Sequence, residues 1–324
     1  MQTTRSVVAQ SQAHASILDA LRPFSKHRQY NRPIATALMA ESATLDLGRR
    51  IGQCSQRLAL DIELGPQGPQ HTLLRGAKLC NARLCPFCEW RRTRVWRRRI
   101  LNGLELYSID QPKRSGVFLT LTTRNVPLSQ LKESISHLHH SFKRLTETSL
   151  FPTDAWFRRT EVTLSRSASQ MSTSVHPHLH CLLLVKPSYW ACDYIKQTQW
   201  QQAWQMAARL DYAPVVDVRR AKATKSSDST KSLTPISAVL EAAKYATKAT
   251  DLLSLGNQLP EFNQQMRGIR LYGFSKILTQ YIKSADPKAT DLLDSAEPEL
   301  TRTGEWLSAV ATWHQQTQEY AFTS

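Results

Sequence analysis

The sequence has no apolar run near the ~20 residues that a membrane-spanning helix requires, and its first residues lack the apolar core of a signal peptide. We therefore expect a cytoplasmic protein with no membrane partner. Cysteine is sparse, with six among 324 residues, and disulfides are rare in the cytoplasm, so a disulfide framework is not expected. The sequence also contains no evident internal repeat.

Acidic residues are outnumbered: 26 Asp and Glu stand against 42 Lys and Arg, a formal charge of +16. The excess is clustered, because nine basic residues and one acidic residue fall within Arg75–Arg99. The segment 284–324 has the opposite balance, with seven acidic and two basic residues. Clustered arginine most often contacts phosphate, so the charge distribution predicts a polyanionic partner for the region around Arg75–Arg99.

Four of the six cysteines lie in the first hundred residues: Cys54, Cys80, Cys85 and Cys88. The last three have the spacing C-x4-C-x2-C, and Pro86 tightens the turn. Four thiolates around one ion are typical of a closed, structural zinc site. We predict such a site, with Cys54 as the least secure ligand and buried free cysteines as the alternative.

An arginine-rich segment follows the cysteines directly and has helical propensity. We predict that it contacts the phosphates of a polyanion, and a solvated basic helix without a ligand is the alternative. The candidate residues are Arg83, Arg91, Arg92, Arg94, Arg97, Arg98 and Arg99, and the family resemblance given below implies that they bind DNA.

Beyond residue 111 the apolar pattern predicts strands over 117–122, 159–165, 180–185 and 214–218, with helices over 131–145 and 194–210. The order β-α-β-β-α-β is that of an α+β, ferredoxin-like (RRM-like) antiparallel sheet. Two helices cover one face of such a sheet and leave the other free for a ligand. A hairpin is expected between 59 and 74, before the cysteines.

The third predicted strand contains His178 and His180 within His176-Pro-His-Leu-His180. Side chains alternate along a strand, so these two histidines share a face and can hold one metal ion. Glu161 on the partner strand could supply an oxygen ligand. Two imidazoles and a carboxylate with open positions suit Mn²⁺ or Mg²⁺. The histidines at 137, 139 and 140 are instead expected on a solvated helix face.

A polar stretch rich in Ser, Lys and Thr, 221–233, predicts a mobile linker, and Thr234-Pro235 predicts the start of a helix over 234–253. On that helix Glu241, Tyr245 and Lys248 would share one stripe. A tyrosine hydroxyl beside a metal-bound phosphate can act as a nucleophile. Alone, Tyr245 would more often be a packing residue, and the pairing with the two histidines is what favours catalysis.

These motifs together resemble the rolling-circle replication initiators of small bacterial plasmids, in the HUH endonuclease superfamily. A single tyrosine with a glutamate four residues before it is similar to one branch of that family. The matching segments are Cys80-x4-Cys85-Pro-x-Cys88-x-Trp90-Arg-Arg, Phe118-Leu-Thr-Leu-Thr122, Glu161-Val-Thr, His176-Pro-His-Leu-His180, Val215-Val-Asp-Val218 and Glu241-x-x-Lys244-Tyr245-x-x-Lys248.

The resemblance implies an enzyme, a nickase and strand transferase. His178, His180 and Glu161 would hold Mn²⁺ or Mg²⁺ against single-stranded DNA at the plasmid's double-strand origin. Tyr245 would form a 5′-phosphotyrosyl link and release a 3′-OH for host polymerase, with a host helicase as a further partner. Glu241 would act as general base in the terminating hydrolysis, and Lys248 would steady the phenolate or the phosphate.

The expected organisation is an N-terminal arm (1–50), a zinc-binding basic region (51–110), an HUH endonuclease domain (111–283) and an acidic C-terminal tail (284–324). Two other functions remain open at this stage. One is a zinc-containing DNA-binding repressor without enzymatic activity, and the other is an HUH relaxase or transposase of a mobile element. The sequence leaves the oligomeric state and the origin sequence open.

Overall fold

The computed structural model describes residues 20–65, 68–165, 173–221, 247–285 and 305–323. The chain divides into two compact units, residues 1–95 with 287–324, and residues 96–286. The described helices are α1 (Arg22–Arg28), α2 (Asn31–Met39), α3 (Leu45–Gly52), α4 (Pro86–Asp110), α5 (Leu131–Thr146), α6 (Ser188–Ala191), α7 (Gln197–Ala208), α8 (Ala249–Ser254), α9 (Leu259–Met266) and α10 (Lys276–Ser284). The described strands are β1 (Arg57–Gly65), β2 (Gly68–Ala77), β3 (Ser115–Thr122), β4 (Val126–Pro127), β5 (Trp156–Ser165), β6 (Ser174–Val185), β7 (Val216–Arg220), β8 (Tyr272–Phe274), β9 (Glu305–His314) and β10 (Glu319–Thr323).

The first unit contains a four-stranded antiparallel sheet in the order β10-β9-β1-β2. Leu58, Leu60 and Ile62 alternate along β1 and are buried, as expected for a strand with one face toward the core. The predicted hairpin is confirmed, because β1 pairs with β2. The chain passes from this hairpin into the cysteine segment and then into α4.

Within and just after the expected N-terminal arm, 1–50, the structure describes three helices, α1, α2 and α3, between 22 and 52. Ile34, Leu38 and Ile51 are fully buried. Helices α2 and α3 pack so closely that a Cβ built on Gly48 would lie 2.7 Å from the carbonyl oxygen of Ala35. Three short helices each contribute only a few apolar residues, so no long helical period marks them in the sequence.

The described part of the expected acidic tail, 284–324, includes β9 and β10, which belong to the four-stranded sheet. β9 pairs with β1, with Ala311 opposite Leu58. Ala311, Trp313 and Tyr320 are buried. The net negative charge of 284–324 obscured this apolar alternation.

The second unit contains an antiparallel sheet in the order β7-β3-β6-β5-β8, and the short β4 pairs with β6. Along the chain its main elements follow as β3-α5-β5-β6-α7-β7. The predicted α+β class with antiparallel strands is confirmed. Of the four strands β3, β5, β6 and β7, the first and third, β3 and β6, lie next to each other between β7 and β5.

One face of this sheet is covered by α5 and α7. Leu119 and Leu183 from the central strands pack there with Phe142 of α5 and with Trp200 and Trp204 of α7. All five side chains are buried. At ~1.5–3 kcal/mol for each large apolar side chain buried, this cluster fixes the positions of the central strands.

The opposite face was expected to be free, but described residues cover one end of it. Leu104 of α4 and Ile282 of α10 pack on Phe118, Phe157 and Leu182 of the sheet. The remaining part of this face, nearer the start of β6, carries the histidines.

The predicted linker and most of the predicted tyrosine helix, including Glu241 and Tyr245, lie outside the described residues. The expected helix does not continue through residue 248. Lys248 has an extended backbone (φ −68°, ψ 149°) and is the N-cap of α8, where its carbonyl accepts from the Leu252 N–H at 3.0 Å. An N-cap residue has non-helical backbone angles, so Lys248 itself does not lie within a helix.

Candidate active site and metal centres

Two adjacent strands place Glu161, His178 and His180 on the same face of the second sheet. Glu161 lies directly opposite His178 in the pairing of β5 with β6. His178 and His180 are two positions apart on β6, so both side chains project to the face of Glu161. The antiparallel register therefore brings Glu161 next to two histidines that lie 17 and 19 positions later in the chain.

The three side chains converge through their terminal atoms. The Nε2 atoms of His178 and His180 are 3.2 Å apart, and Oε2 of Glu161 lies 3.1 Å from Nε2 of His180. Oε2 of Glu161 is 3.9 Å from Nε2 of His178. The side chains are only 10 to 17% exposed, so the group forms a shielded cluster with one open side.

The other imidazole nitrogens are engaged within the sheet. Nδ1–H of His178 donates to the carbonyl of His176 at 3.2 Å, and Nδ1 of His180 lies 3.2 Å from Oγ1 of Thr120. Burial, with the adjacent charge of His180, lowers the pKa of His178 to about 4. His178 is therefore neutral near pH 7, and its Nε2 presents a lone pair.

Glu161 is held as a carboxylate. Burial alone would raise its pKa, but the hydrogen bond and charge of His180, with further charges that include Arg159, bring the pKa below its ordinary value. Arg159 lies opposite His180 on β5 and is buried. Its guanidinium stacks on Tyr272 with the Cζ atom 4.9 Å from the ring centroid.

The donor set fits a divalent cation. At a ligand distance of ~2.1 Å, ligands at right angles are about 3 Å apart, close to the spacing of the two Nε2 atoms. Metal-bound histidines usually engage their second nitrogen with a carbonyl, carboxylate or water, and His178 does so. His176 is not part of the group, because its Nε2–H donates to the carbonyl of Thr123 at 3.0 Å.

The first unit brings together all four predicted cysteines, and their sulfur atoms lie within 4.8 Å of one another. The Sγ atoms of Cys54 and Cys88 are 3.4 Å apart, and those of Cys80 and Cys88 are 3.7 Å apart. These separations exclude a disulfide, which needs ~2.05 Å. Tetrahedral thiolates around zinc, at ~2.3 Å from it, are about 3.8 Å apart, so the cluster fits a zinc ion.

Hydrogen bonds hold the cysteine segment in shape. Arg50 donates to the carbonyl of Cys80 at 2.7 Å, and the N–H of Cys80 donates to Sγ of Cys54 at 3.4 Å. The hydrogen bonds of the other three cysteines, led by Cys54, lower the pKa of Cys80, whereas burial raises that of Cys85. Ionisation of all four thiols therefore needs a bound cation.

The predicted arginine helix is present as α4, and its guanidinium groups have local partners. Arg92 pairs with Glu89 and donates to the carbonyl of Asn81 at 2.9 Å. Arg94 lies over the Trp90 ring at 5.4 Å and Arg99 over the Trp96 ring at 5.6 Å. The seven candidate arginines are half-buried, so none of these side chains is fully removed from solvent.

The helix histidines differ from the solvated face that was expected. His137 and His140 are exposed, but His139 is half-buried, with Nε2 2.8 Å from Oγ1 of Thr160. Burial, together with the charge of Arg158, lowers the pKa of His139 to about 3. His139 supports β5 from behind, at the residue before Glu161.

The family model for replication protein matches residues 71–321. This chain belongs to the replication protein family. It is 31% identical over 294 residues to Protein rep of Bacillus amyloliquefaciens, covering 84% of this chain and 83% of that protein. It is also 35% identical over 181 residues to Protein rep of Streptococcus pneumoniae, covering 54% of this chain and 53% of that one. No solved structure matches.

The family match confirms the resemblance to plasmid replication initiators. In this replication protein the matched range contains the histidine cluster and three of the four cysteines, whereas Cys54 lies outside it. Among the described residues, no helix is long and apolar enough to cross a membrane.

Sequence reasoning missed two side chains beside the histidines in the replication protein. Thr120 contacts His180, and Arg159 lies opposite it. Strand parity gives a signal for both. Thr120 and Thr122 alternate with buried leucines on β3, and Arg159 is two residues before Glu161. What the sequence lacks is the register that aligns Thr120 with His180.

Proposed function

We propose that this protein initiates plasmid rolling-circle replication by nicking single-stranded origin DNA with Tyr245 as the nucleophile. The observation that carries the proposal is the convergence of His178, His180 and Glu161 through Nε2, Nε2 and Oε2. The sheet order, with the first and third strands of the βαββαβ set in the middle, favours the ferredoxin-like HUH core. Membership of the replication protein family supports the same function.

His178, His180 and Glu161 would hold the catalytic ion, and the low pKa of His178 keeps one of its ligand nitrogens unprotonated near pH 7. A bound Mn²⁺ or Mg²⁺ would neutralise charge on the phosphate oxygens. Among the described residues, α4 and α10 pack on one end of this face, so the histidine end is where a DNA phosphate would approach.

In the nicking step the Tyr245 oxygen forms a bond to phosphorus as the bond from phosphorus to O3′ breaks. The phenol loses its proton and O3′ ends as a hydroxyl. The product is a 5′-phosphotyrosyl link, which keeps a phosphodiester bond and so permits later strand transfer. In termination at the regenerated origin Glu241 accepts a proton from water, and the water oxygen forms a bond to phosphorus as the bond from phosphorus to O3′ breaks. O3′ takes up a proton and ends as a hydroxyl, and the other end carries a 5′-phosphate.

The cysteine cluster would hold structural zinc, and the half-buried arginines of α4 would contact the phosphates of origin DNA. Helix α4 begins at Pro86, between Cys85 and Cys88. Two of the cluster's ligands therefore flank the start of the helix that carries the arginines. Zinc at this place would fix the first turn of that helix.

The test incubates purified protein with labelled single-stranded origin DNA and Mn²⁺ and resolves the products on a denaturing gel. A covalent adduct that is absent in Tyr245→Phe and in His178→Ala supports the proposal. Tyr212 lies in the loop before β7 with its hydroxyl accepting from the N–H of Arg124, so Tyr212→Phe is the matched control and should retain the adduct.

The same assay separates the alternatives. Tight binding of cognate origin DNA with no adduct under any divalent ion would favour a DNA-binding repressor. An adduct formed on transfer-site DNA and not on origin DNA would favour a relaxase or transposase.

A further inference from the structure

The first unit contains a buried guanidinium that has no carboxylate partner among the described residues. Arg28 ends α1 and is 1% exposed. Its Nη2 donates to the carbonyl of Gly52 at 2.8 Å, while Nε and Nη1 have no hydrogen-bond partner among the described residues. A buried charge is costly unless an opposite charge compensates it. A nearby anion is therefore expected to balance the charge of Arg28.

The groups near Arg28 indicate which anion can compensate its charge. Burial lowers its pKa, and the groups that raise it are Tyr320 and the cysteines 54, 85 and 80. Tyr320 is a neutral phenol, because its hydroxyl donates to the carbonyl of Ser55 at 2.6 Å and burial raises its pKa further. The guanidinium also lies beside the cysteine segment, because its acceptor Gly52 is two residues before Cys54. The thiolates of the cluster are the remaining charges among the described residues that act on Arg28.

The cysteine cluster has a net negative charge when it binds a divalent metal ion, and this charge can compensate Arg28. Four thiolates carry −4, and a divalent ion reduces the total to −2. Other cations approach the cluster, but Arg50 is exposed and Arg91 is half-exposed, so water screens them. Arg28 is shielded, and the Trp313 ring lies 5.2 Å from its Cζ atom.

We propose that Arg28 is the buried counter-charge of the four-cysteine metal centre, and that its positive charge strengthens metal binding. The inference rests on the zinc site and is independent of the nicking chemistry. Arg28 belongs to α1, Trp313 to β9 and Tyr320 to β10. Metal loading therefore also strengthens the attachment of α1 and of the C-terminal strands to the cluster.

The test compares zinc affinity of full-length variants by competition with a chromogenic chelator at fixed pH. Arg28→Gln retains a hydrogen-bond donor for the Gly52 carbonyl without the charge, and Arg28→Lys retains the charge. Arg28→Gln should bind zinc about ten-fold more weakly or worse, from the loss of one shielded charge. Arg28→Lys should restore most of the affinity. Arg32 is exposed on α2, and Arg32→Gln should match the wild type.

Equal zinc affinity in Arg28→Gln and the wild type would overturn the inference. Equal losses in Arg28→Gln and Arg28→Lys would also overturn it, because packing rather than charge would then be the cause. Should Arg28→Gln not fold, Arg28→Met against Arg28→Lys gives the same comparison in Co²⁺-loaded protein, read from the thiolate-to-cobalt absorption. A wild-type protein that binds no zinc would instead refute the four-cysteine site itself.

Discussion

Replacing Thr120 with valine should weaken metal binding at the histidine cluster without removing a ligand. Oγ1 of Thr120 lies 3.2 Å from Nδ1 of His180. When Nε2 of His180 binds a metal ion, the proton of the neutral ring is on Nδ1, and Thr120 is then its acceptor. Valine has the same shape and cannot accept this hydrogen bond.

The size of the effect follows from the lost bond. A buried N–H left without an acceptor costs about 1–3 kcal/mol, and loss of such outer partners weakens metal sites by about 10- to 100-fold. We therefore expect the dissociation constant for Mn²⁺ to rise at least about ten-fold in Thr120→Val. The measurement is a Mn²⁺ titration of the full chain, followed by the electron paramagnetic resonance signal of free Mn²⁺.

The matched control is Thr122→Val on the same strand and face. The Thr122 hydroxyl donates to the carbonyl of Val215 at 2.8 Å, and Thr122 lies opposite His178. This variant should bind Mn²⁺ as the wild type does. Wild-type affinity in Thr120→Val, or the same loss in both variants, would refute the role of Thr120 as the acceptor for His180.

Three further predictions concern the cysteine cluster, His139 and the proposed general base Glu241. Cys85→Ser should lose zinc and destabilise the first unit, measured by metal analysis and unfolding, and retained zinc stoichiometry would contradict the cluster. The pKa of His139 is lowered to about 3, so stability is complete above about pH 6.5 and falls as pH decreases toward 3, at up to ~1.4 kcal/mol per pH unit. His139→Gln should therefore lose less stability between pH 7 and pH 5 in urea unfolding, and an unchanged slope would contradict this assignment. Glu241→Ala should still nick origin DNA but accumulate over-long products, and normal termination would exclude Glu241 as the base.

The sequence was most informative where residues close in the chain share one pattern. The histidines two positions apart on β6 and the cysteines at 80, 85 and 88 were found from spacing alone. Glu161 followed from strand parity, because its residue type suits a metal and its strand is the partner of β6. The βαββαβ order was readable because α5 and the central strands have clear apolar periods.

Contacts between distant segments were not readable. β9 pairs with β1 across about 250 positions, and no local pattern shows this pairing. The burial of Arg28 was invisible for the same reason, since an arginine at the end of a short helix is usually exposed. Lys248 was assigned to the predicted tyrosine helix from helical spacing alone, whereas its backbone is extended and it is the N-cap of α8.

The central claim is that Tyr245 attacks DNA held at the histidine cluster. Its most direct test is the yield of covalent protein–DNA adduct from wild-type protein, Tyr245→Phe and His178→Ala on single-stranded origin DNA with Mn²⁺. We predict an adduct in the wild type and none in either variant, with DNA binding by Tyr245→Phe within a few-fold of the wild type. An adduct that persists in Tyr245→Phe, or one that forms equally well in His178→Ala, would contradict the claim.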